Sequence, residues 1–213
     1  MTSVLNPIPV ATDERFMLHG VSWETYVQLL KNFESCSVPR FTYDQGELEI
    51  MSPSLPHEEI REILVLLVNL ICEELGIDVR GLGSITLKRA DLQKGAEPDA
   101  CFYIKRVKEI ASIKELDLTI HPPSDLVIEV DIGSSSIDKF SIYAALGVPE
   151  LWRFSKDEIE FFRLAGGQYT SLNHSLNFPR VSALEVTRLV GEARALPRPQ
   201  WLSRARSWIR SLR

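Results

Sequence analysis

Long apolar runs are absent from this sequence of 213 residues. No stretch reaches the roughly 18 consecutive apolar residues that a membrane-spanning helix needs. The longest apolar run, residues 63–72, is interrupted by Asn69 and predicts a buried helix instead. The first sixteen residues also lack the basic start and apolar stretch of a secretory signal peptide. These absences predict a cytoplasmic protein that makes no contact with a membrane.

Cysteine is scarce, and its three positions have no pattern. Cys36, Cys72 and Cys101 are odd in number and lack the spacing of metal ligands. This excludes a disulfide framework and argues against a cysteine zinc site. Because Cys72 and Cys101 fall on apolar faces, we expect both to be small core residues.

An excess of positive charge, which is typical of nucleic-acid-binding proteins, is missing as well. The net charge is −5, yet residues 198–213 carry five arginines and no acid, so the rest of the chain carries −10. An acidic body suits a site built from carboxylates that needs a cation, and a generally acidic surface explains it equally well. The arginines either contact a phosphate backbone or belong to a solvated amphipathic helix that docks on the body or on a second subunit.

The order of predicted elements indicates an α/β protein of the α+β kind, with a mixed central sheet flanked by helices and added β-hairpins. Residues 1–196 form the main domain, and Pro197 and Pro199 separate it from a basic amphipathic helix within residues 197–213. Residues 1–20 are expected to be extended, and Ser22 to cap the first helix. Helices are predicted at about residues 22–33, 57–75, 137–146 and 201–212. Strands are predicted at 41–50 as a hairpin, 79–87, 99–104, 126–132, 151–154, 158–163 and 168–171.

Acidic residues interrupt two of the apolar strands. Because strand side chains alternate, Glu129 and Asp131 point to the face opposite Ile128 and Val130. Two carboxylates buried without partners would be costly, so they either reach solvent or meet a cation. With Asp99 on a neighbouring strand they would form a set of oxygen ligands suited to Mg²⁺ or Mn²⁺. The structural alternative is a solvated polar face of the sheet.

A lysine follows these acids at a useful spacing. Lys139 lies in the first turns of the helix after the Glu129 strand, so its ammonium can approach the same place and stabilise charge on a phosphate or orient a water. Tyr143 lies one helical turn further along the same face.

An ordered set of motifs resembles the Uma-type endonuclease family, within the PD-(D/E)XK, or restriction-endonuclease-like, superfamily. The set consists of GELEIMSPSLPHEEI, EPDACF and PSDLVIEVDIGSSSIDKFSIYAALGVPELWRF, and it spans roughly residues 20–180. The resemblance implies a core of a helix, a three-stranded meander, a second helix and a fourth strand. It also implies metal-dependent cleavage of DNA.

The resemblance assigns roles to particular residues. Asp99 matches the aspartate of the Pro-Asp motif, and Glu129 matches the second acid. The usual lysine of the superfamily would fall at Asp131, so Lys139 would be its migrated equivalent, and Asp131 is either a further metal ligand or a weakening feature. Glu49 and His57 match upstream polar positions of the family. For these two the structural alternatives are a solvated strand residue and a helix-capping or surface histidine.

Three hypotheses follow. The first is a metal-dependent endonuclease that acts on DNA, with Asp99, Glu129, Lys139, His57 and Glu49 in the catalytic centre and Asp99, Glu129 and Asp131 as metal ligands. The second is a catalytically weak or inactive nuclease-fold module that binds nucleic acid or a protein. The third is a structural or oligomerisation protein without affinity for divalent ions. A homodimer is compatible with each of them.

Overall fold

Two β-sheets and five α-helices form the part of the chain that the computed structural model describes, residues 12–133 and 137–213. The remainder of the predicted N-terminal extended segment and the serines 134–136 lie outside these residues. The first sheet has the order β1-β3-β2-β6-β5, with β1 (Glu14–Leu18), β2 (Arg40–Asp44), β3 (Glu47–Ser52), β5 (Leu87–Arg89) and β6 (Lys94–Ala96). The second has the order β11-β10-β9-β8-β7-β4, with β4 (Arg80–Gly83), β7 (Ala100–Tyr103), β8 (Leu126–Asp131), β9 (Glu150–Ser155), β10 (Glu158–Ala165) and β11 (Gln168–Leu172).

The helices follow the predicted boundaries closely where capping signals exist. They are α1 (Trp23–Asn32), α2 (Leu55–Leu75), α3 (Lys139–Ala145), α4 (Ala183–Ala195) and α5 (Arg198–Ser211). Ser22 caps α1, and Ser54 caps α2 by accepting the N–H of His57. Gly76 ends α2 with a φ of 67°, a left-handed conformation that glycine adopts at little cost.

The second sheet is mixed, as predicted. Its strands are antiparallel except for β8 and β9, which run parallel, with Glu129 opposite Arg153. The connection between them contains α3, because parallel neighbours need a crossover. This crossover brings Lys139, the first residue of α3, back over the sheet close to the end of β8.

Alternation along β8 separates the two layers of core. Leu126, Ile128 and Val130 face a large cluster that also contains the apolar faces of α2, α4 and α5. Val127 faces the opposite cluster, where α3 and residues of the first sheet pack. Glu129 and Asp131 share the face of Val127, so they point into the space between the two sheets.

The first sheet likewise has one face toward this space. Register places Arg40 and Arg15 on either side of Met51, and Thr42 and Met17 on either side of Glu49. Paired residues of antiparallel strands share a face, so these rows of side chains point toward β8. The other face of the sheet packs against α1 through a separate aromatic cluster of Tyr26, Phe41, Tyr43 and Leu48.

Several predictions about the elements need correction. The predicted strand over residues 79–87 is divided between β4 and β5, which belong to different sheets. The polar stretch 105–116, whose sequence allows a helix, contains only a short 3₁₀ turn, Val107–Ile110. Helix α4 and strand β1 were not predicted as such. Strand β1 has little local signal, whereas α4 has a capping signal in Ser182 and Glu185 that sequence reasoning missed.

The C-terminal helix is present, and it begins three residues earlier than predicted. Trp201, Ala205 and Ile209 are buried in the large cluster with α2 and α4. Its arginines are engaged with the chain itself: Arg206 and Arg210 both donate to Glu74 at the end of α2. The apolar positions that suggested a contact with a second subunit are therefore used within the chain.

Across the described ranges, no helix is long and apolar enough to cross a membrane. A cytoplasmic location stays a prediction from the sequence.

We expect Glu74→Gln to destabilise the protein in a pH-dependent way. Hydrogen bonds from Arg210 and Arg206 lower the pKa of Glu74 from 4.5 to about 2. A carboxyl whose pKa is lowered by folding stabilises the fold above its unfolded pKa, and this stabilisation is lost as the pH falls toward the folded pKa. Thermal unfolding at pH 7, 5 and 3.5 should therefore show a lower midpoint for Glu74→Gln at pH 7, with the difference shrinking below about pH 4.5.

Glu73→Gln is the matched control. Glu73 is the preceding residue of α2 and also accepts from Arg206, but its side chain is 64% exposed. Because exposed ion pairs contribute little, this variant should unfold close to the wild-type midpoint. Equal effects of the two substitutions, or a difference for Glu74→Gln that grows toward acid pH, would contradict the assignment.

Candidate active site

Asp99 lies immediately before β7 and is completely buried. Its Oδ2 accepts the backbone N–H of Val130 at 2.6 Å, which fixes the carboxylate against β8. The antiparallel register pairs Ala100 with Ile128, and continuing it by one residue places Asp99 opposite Glu129. The two acids predicted to lie on neighbouring strands are therefore brought side by side, on the same face.

Glu129 has two partners, both from α3. Lys139 Nζ donates to its Oε2 at 2.6 Å, and the hydroxyl of Tyr143 donates to its Oε1. Burial and the nearby Glu129 charge raise the pKa of Tyr143, so this phenol remains a donor. Lys139 and Tyr143 are one helical turn apart, which is the arrangement that the sequence predicted.

An arginine that sequence reasoning missed lies against the first acid. The guanidinium of Arg40 contacts Asp99 Oδ1, and its Nη2 donates to Glu58 Oε1 at 2.5 Å. Burial lowers the pKa of Arg40, while the charges of Glu58 and Glu129 oppose that shift. Arg40 lies on the same face of the first sheet as Glu49, one residue pair away along β2 and β3. The alternation of side chains along these strands was the only signal that could have pointed to it.

His57 is the third helical residue of α2 and is fully buried. Its Nε2 lies 2.8 Å from Asp99 Oδ1, and its Nδ1 lies 3.0 Å from Asp13 Oδ2. The structure thus places the ring inside the site, between two carboxyl groups, rather than on the surface of the helix.

Glu49 points inward, with 1% of its surface exposed. Arg15 Nη1 donates to Glu49 Oε1 at 2.9 Å, and Arg15 Nη2 donates to Asp13 Oδ2 at 3.1 Å. Asp13 and Arg15 come from β1 and its approach, a segment in which sequence reasoning singled out no functional residue. Both were missed because their partners lie far away along the chain.

Asp131 lies at the end of β8, half-buried on the same face as Glu129. Burial and the charge of Glu129 raise its pKa. Within residues 12–133 and 137–213, no three His, Cys, Asp or Glu side chains are grouped so that they could hold a metal ion. Register brings Asp99 and Glu129 together, and the ligand set of Asp99, Glu129 and Asp131 stays a prediction.

Two cavities open next to this buried centre. One of about 530 Å³ is lined by Glu129, Asp131, Lys139, Arg153 and Lys156, among others. The other, of about 510 Å³, has Arg40 and Glu97 in its wall. Burial raises the pKa of Glu97 despite hydrogen bonds from Phe41 N–H and the Thr86 hydroxyl. Glu129 and Arg40 therefore each line a cavity that a ligand can enter, whereas Asp99 and His57 line neither of the two.

Comparisons with known proteins identify the family and agree with the fold. Residues 23–194 match the model of the Uma2 family, which is described as "Putative restriction endonuclease". The fold is similar to the crystal structure of "a putative nuclease belonging to DUF820" from Anabaena variabilis ATCC 29413, with a TM-score of 0.50 and 15% sequence identity. That similarity covers 76% of this chain and 98% of the other. The sequence matches no curated protein.

The contacts of Asp99 predict a difference between two substitutions. Asp99→Ala leaves the Val130 N–H unsatisfied and removes a charge partner of Arg40, so we expect the free energy of unfolding to fall by about 3–5 kcal/mol. Asp99→Asn keeps an oxygen that can accept the Val130 N–H, so its free energy of unfolding should fall by less. Denaturant unfolding of both variants measures this, with Asp91→Ala, at an exposed carboxylate, as the control. Wild-type stability of Asp99→Ala would contradict the assigned contacts.

Proposed function

This chain belongs to the Uma2 family, and from that premise we propose that it is a metal-dependent endonuclease that hydrolyses phosphodiester bonds in DNA. The observation that carries the proposal is the pairing of Asp99 and Glu129 on neighbouring strands, with Lys139 and Arg40 beside them. Phosphodiester hydrolysis needs acids that can hold a divalent ion and cations that can offset charge on the phosphate. Both kinds of group meet at this point.

The donor set fits a magnesium or manganese ion. Mg²⁺ prefers oxygen ligands and keeps several waters, so one or two carboxylates are enough to hold it. Asp99 and Glu129 would supply those carboxylates, and Asp131 lies close enough to Glu129 to raise the local negative charge. When bound, the ion would activate a water molecule and polarise a phosphoryl oxygen.

The chain's own cations then act on the substrate. Lys139 lines the larger cavity, and its ammonium donates to Glu129. In that place it can stabilise negative charge that develops on a phosphate oxygen. Arg40 presents a planar guanidinium beside Asp99, and such a group can bind a phosphate through two parallel hydrogen bonds. Arg153 and Lys156 add positive charge to the wall of the same cavity.

We expect purified protein to cleave DNA in the presence of Mg²⁺ or Mn²⁺ and to lose this activity with a chelator. Asp99→Asn and Lys139→Met should each lower the cleavage rate by at least about 100-fold, because each removes a group that stabilises the transition state. The rate is measured on linear and supercoiled DNA under excess substrate. Asn is preferred to Ala at position 99 because it perturbs the fold less.

Lys108→Met is the matched control for the lysine substitution. Lys108 is exposed in a short 3₁₀ turn, so its loss should leave cleavage near the wild-type rate. Undiminished cleavage by Asp99→Asn and Lys139→Met would reject the assigned centre, and cleavage that survives a chelator would reject the metal.

A second candidate function is a nuclease-fold module that binds nucleic acid or a protein partner without turnover. The charge pairing supports it, since Asp99 already contacts Arg40 and His57, and Glu129 already binds Lys139. This candidate expects DNA binding that survives Asp99→Asn, and no cleavage with any metal. Calorimetric titration with Mn²⁺ separates both candidates from a purely structural protein, which would bind no divalent ion.

We also propose a homodimer that uses strand β1. This strand is at the edge of its sheet and exposes 65% of Phe16 and 46% of Leu18. Edge strands with apolar side chains favour pairing with another strand. Light scattering should report a dimer for the wild type and a monomer for Phe16→Glu, with Ile120→Glu, at a similarly exposed apolar residue elsewhere, as the control. A monomeric wild type would refute the proposed dimer.

A further inference from the structure

The match to the family begins at residue 23, after β1 has ended. Two residues of the buried centre, Asp13 and Arg15, therefore lie outside the matched region. Each connects to a residue inside it: Asp13 to His57, and Arg15 to Glu49. The N-terminal strand thus contributes directly to the site, and its contribution is not described by the family match.

The two carboxylate oxygens of Asp13 have different partners. Oδ1 accepts the backbone N–H of Ser54 at 2.9 Å, and Oδ2 faces His57 Nδ1 at 3.0 Å and accepts from Arg15 Nη2. Burial alone would raise the pKa of Asp13, but hydrogen bonds from His57 and Ser54 outweigh burial and hold the pKa well below its usual range. Asp13 is therefore a carboxylate that only accepts hydrogen bonds, and Nδ1 of His57 must be the donor.

We propose that Asp13 is a positioning residue of the active centre, which holds the His57 ring with Nδ1–H toward β1 and Nε2 toward Asp99. The role rests on the proposed nuclease function, because Asp13 acts by fixing the position of His57 beside Asp99, the first acid of the proposed centre. Each ring nitrogen faces a carboxylate oxygen, so both donate, and the Asp13 acceptor fixes the orientation in which Nε2–H meets Asp99. The 2.8 Å contact between Nε2 and Asp99 Oδ1 then sets the direction of that carboxylate.

Arg15 makes this arrangement rigid. It donates to Asp13 with one guanidinium nitrogen and to Glu49 with the other, and only 9% of its side chain is exposed. Asp13 is consequently held from three sides, by Ser54, Arg15 and His57. It does not line either cavity next to the centre, so it has no direct contact with a substrate in them.

The substitution Asp13→Asn tests the orientation without changing the size of the side chain. If the Asn oxygen keeps the Ser54 N–H, its amide group faces His57 Nδ1 and donates to it. The ring nitrogen Nδ1 must then accept and no longer carries a proton, while Nε2 keeps the proton that it donates to Asp99. An Asp-to-Asn change beside a catalytic histidine is known to act in this way, by favouring a ring whose Nδ1 is unprotonated.

The first measurement is nuclear magnetic resonance of full-length protein labelled with ¹⁵N-histidine, without metal and at one pH. The chain has four histidines, and His57→Gln identifies the signal of interest. We expect a protonated Nδ1 for His57 in the wild type and an unprotonated Nδ1 in Asp13→Asn. A merely structural role of Asp13 would not produce this change.

The second measurement is steady-state DNA cleavage with Mn²⁺. Asp13→Asn should lower kcat by about 10–100-fold, as is typical when the residue that orients a functional group is changed, with little effect on KM. Glu14→Gln is the matched control, because the adjacent Glu14 is exposed on β1. It should leave both constants unchanged.

Retention of a protonated Nδ1 in Asp13→Asn, or a kcat equal to that of Glu14→Gln, would overturn the assignment. A wild type that shows no turnover, together with the expected change at His57, would refute the nuclease proposal while supporting the positioning of the ring. The two failures are therefore distinguishable.

Discussion

A carboxylate with no contact to water, that of Asp99, is the constraint on which the centre of the molecule depends. A buried charge of this kind costs several kcal/mol unless hydrogen bonds and opposite charges compensate it. Its partners come from three different elements: Val130 from β8, His57 from α2 and Arg40 from β2. Satisfying one side chain therefore joins the two sheets and the longest helix at a single point.

The compensation extends outward from this point. Lys139 neutralises Glu129, which also accepts a hydrogen bond from the hydroxyl of Tyr143. Arg15 forms an ion pair with Glu49. Because each of these acids already has a donor, the groups of the centre are held in fixed positions. Groups held in this way can stabilise charge that develops during a reaction. The same pairing means that an incoming divalent ion must compete with the chain's own cations for Asp99 and Glu129.

The sequence predicted the parts of this site that depend on local periodicity. Alternation along residues 126–132 places Glu129 opposite the main core, and helical spacing brings Lys139 and Tyr143 to the same face. Both rules act over a few residues, so they hold before the tertiary structure is known. The family resemblance added the correspondence of Asp99 and His57, which local patterns alone left open.

The missed residues depend on how the two sheets face one another. Arg40 and Arg15 are ordinary strand residues until the packing brings them to Asp99 and Glu49. The division of residues 79–87 between two sheets has the same origin, because alternation along a segment does not reveal which sheet each part joins. Pairings between distant residues are thus the part of the site that a single sequence does not contain.

Charge pairing argues against a direct role of two C-terminal arginines, Arg206 and Arg210, in binding phosphate. Arg206 and Arg210 neutralise Glu74 at one end of α2, whereas His57 and Glu58 at the other end belong to the active centre. The basic helix therefore stabilises the element that carries the site, from the opposite end of it. Lys139, Arg153 and Lys156 line one cavity together with Glu129, Asp131 and Asp138, so the cations available to the proposed endonuclease are gathered there although the chain has a net charge of −5.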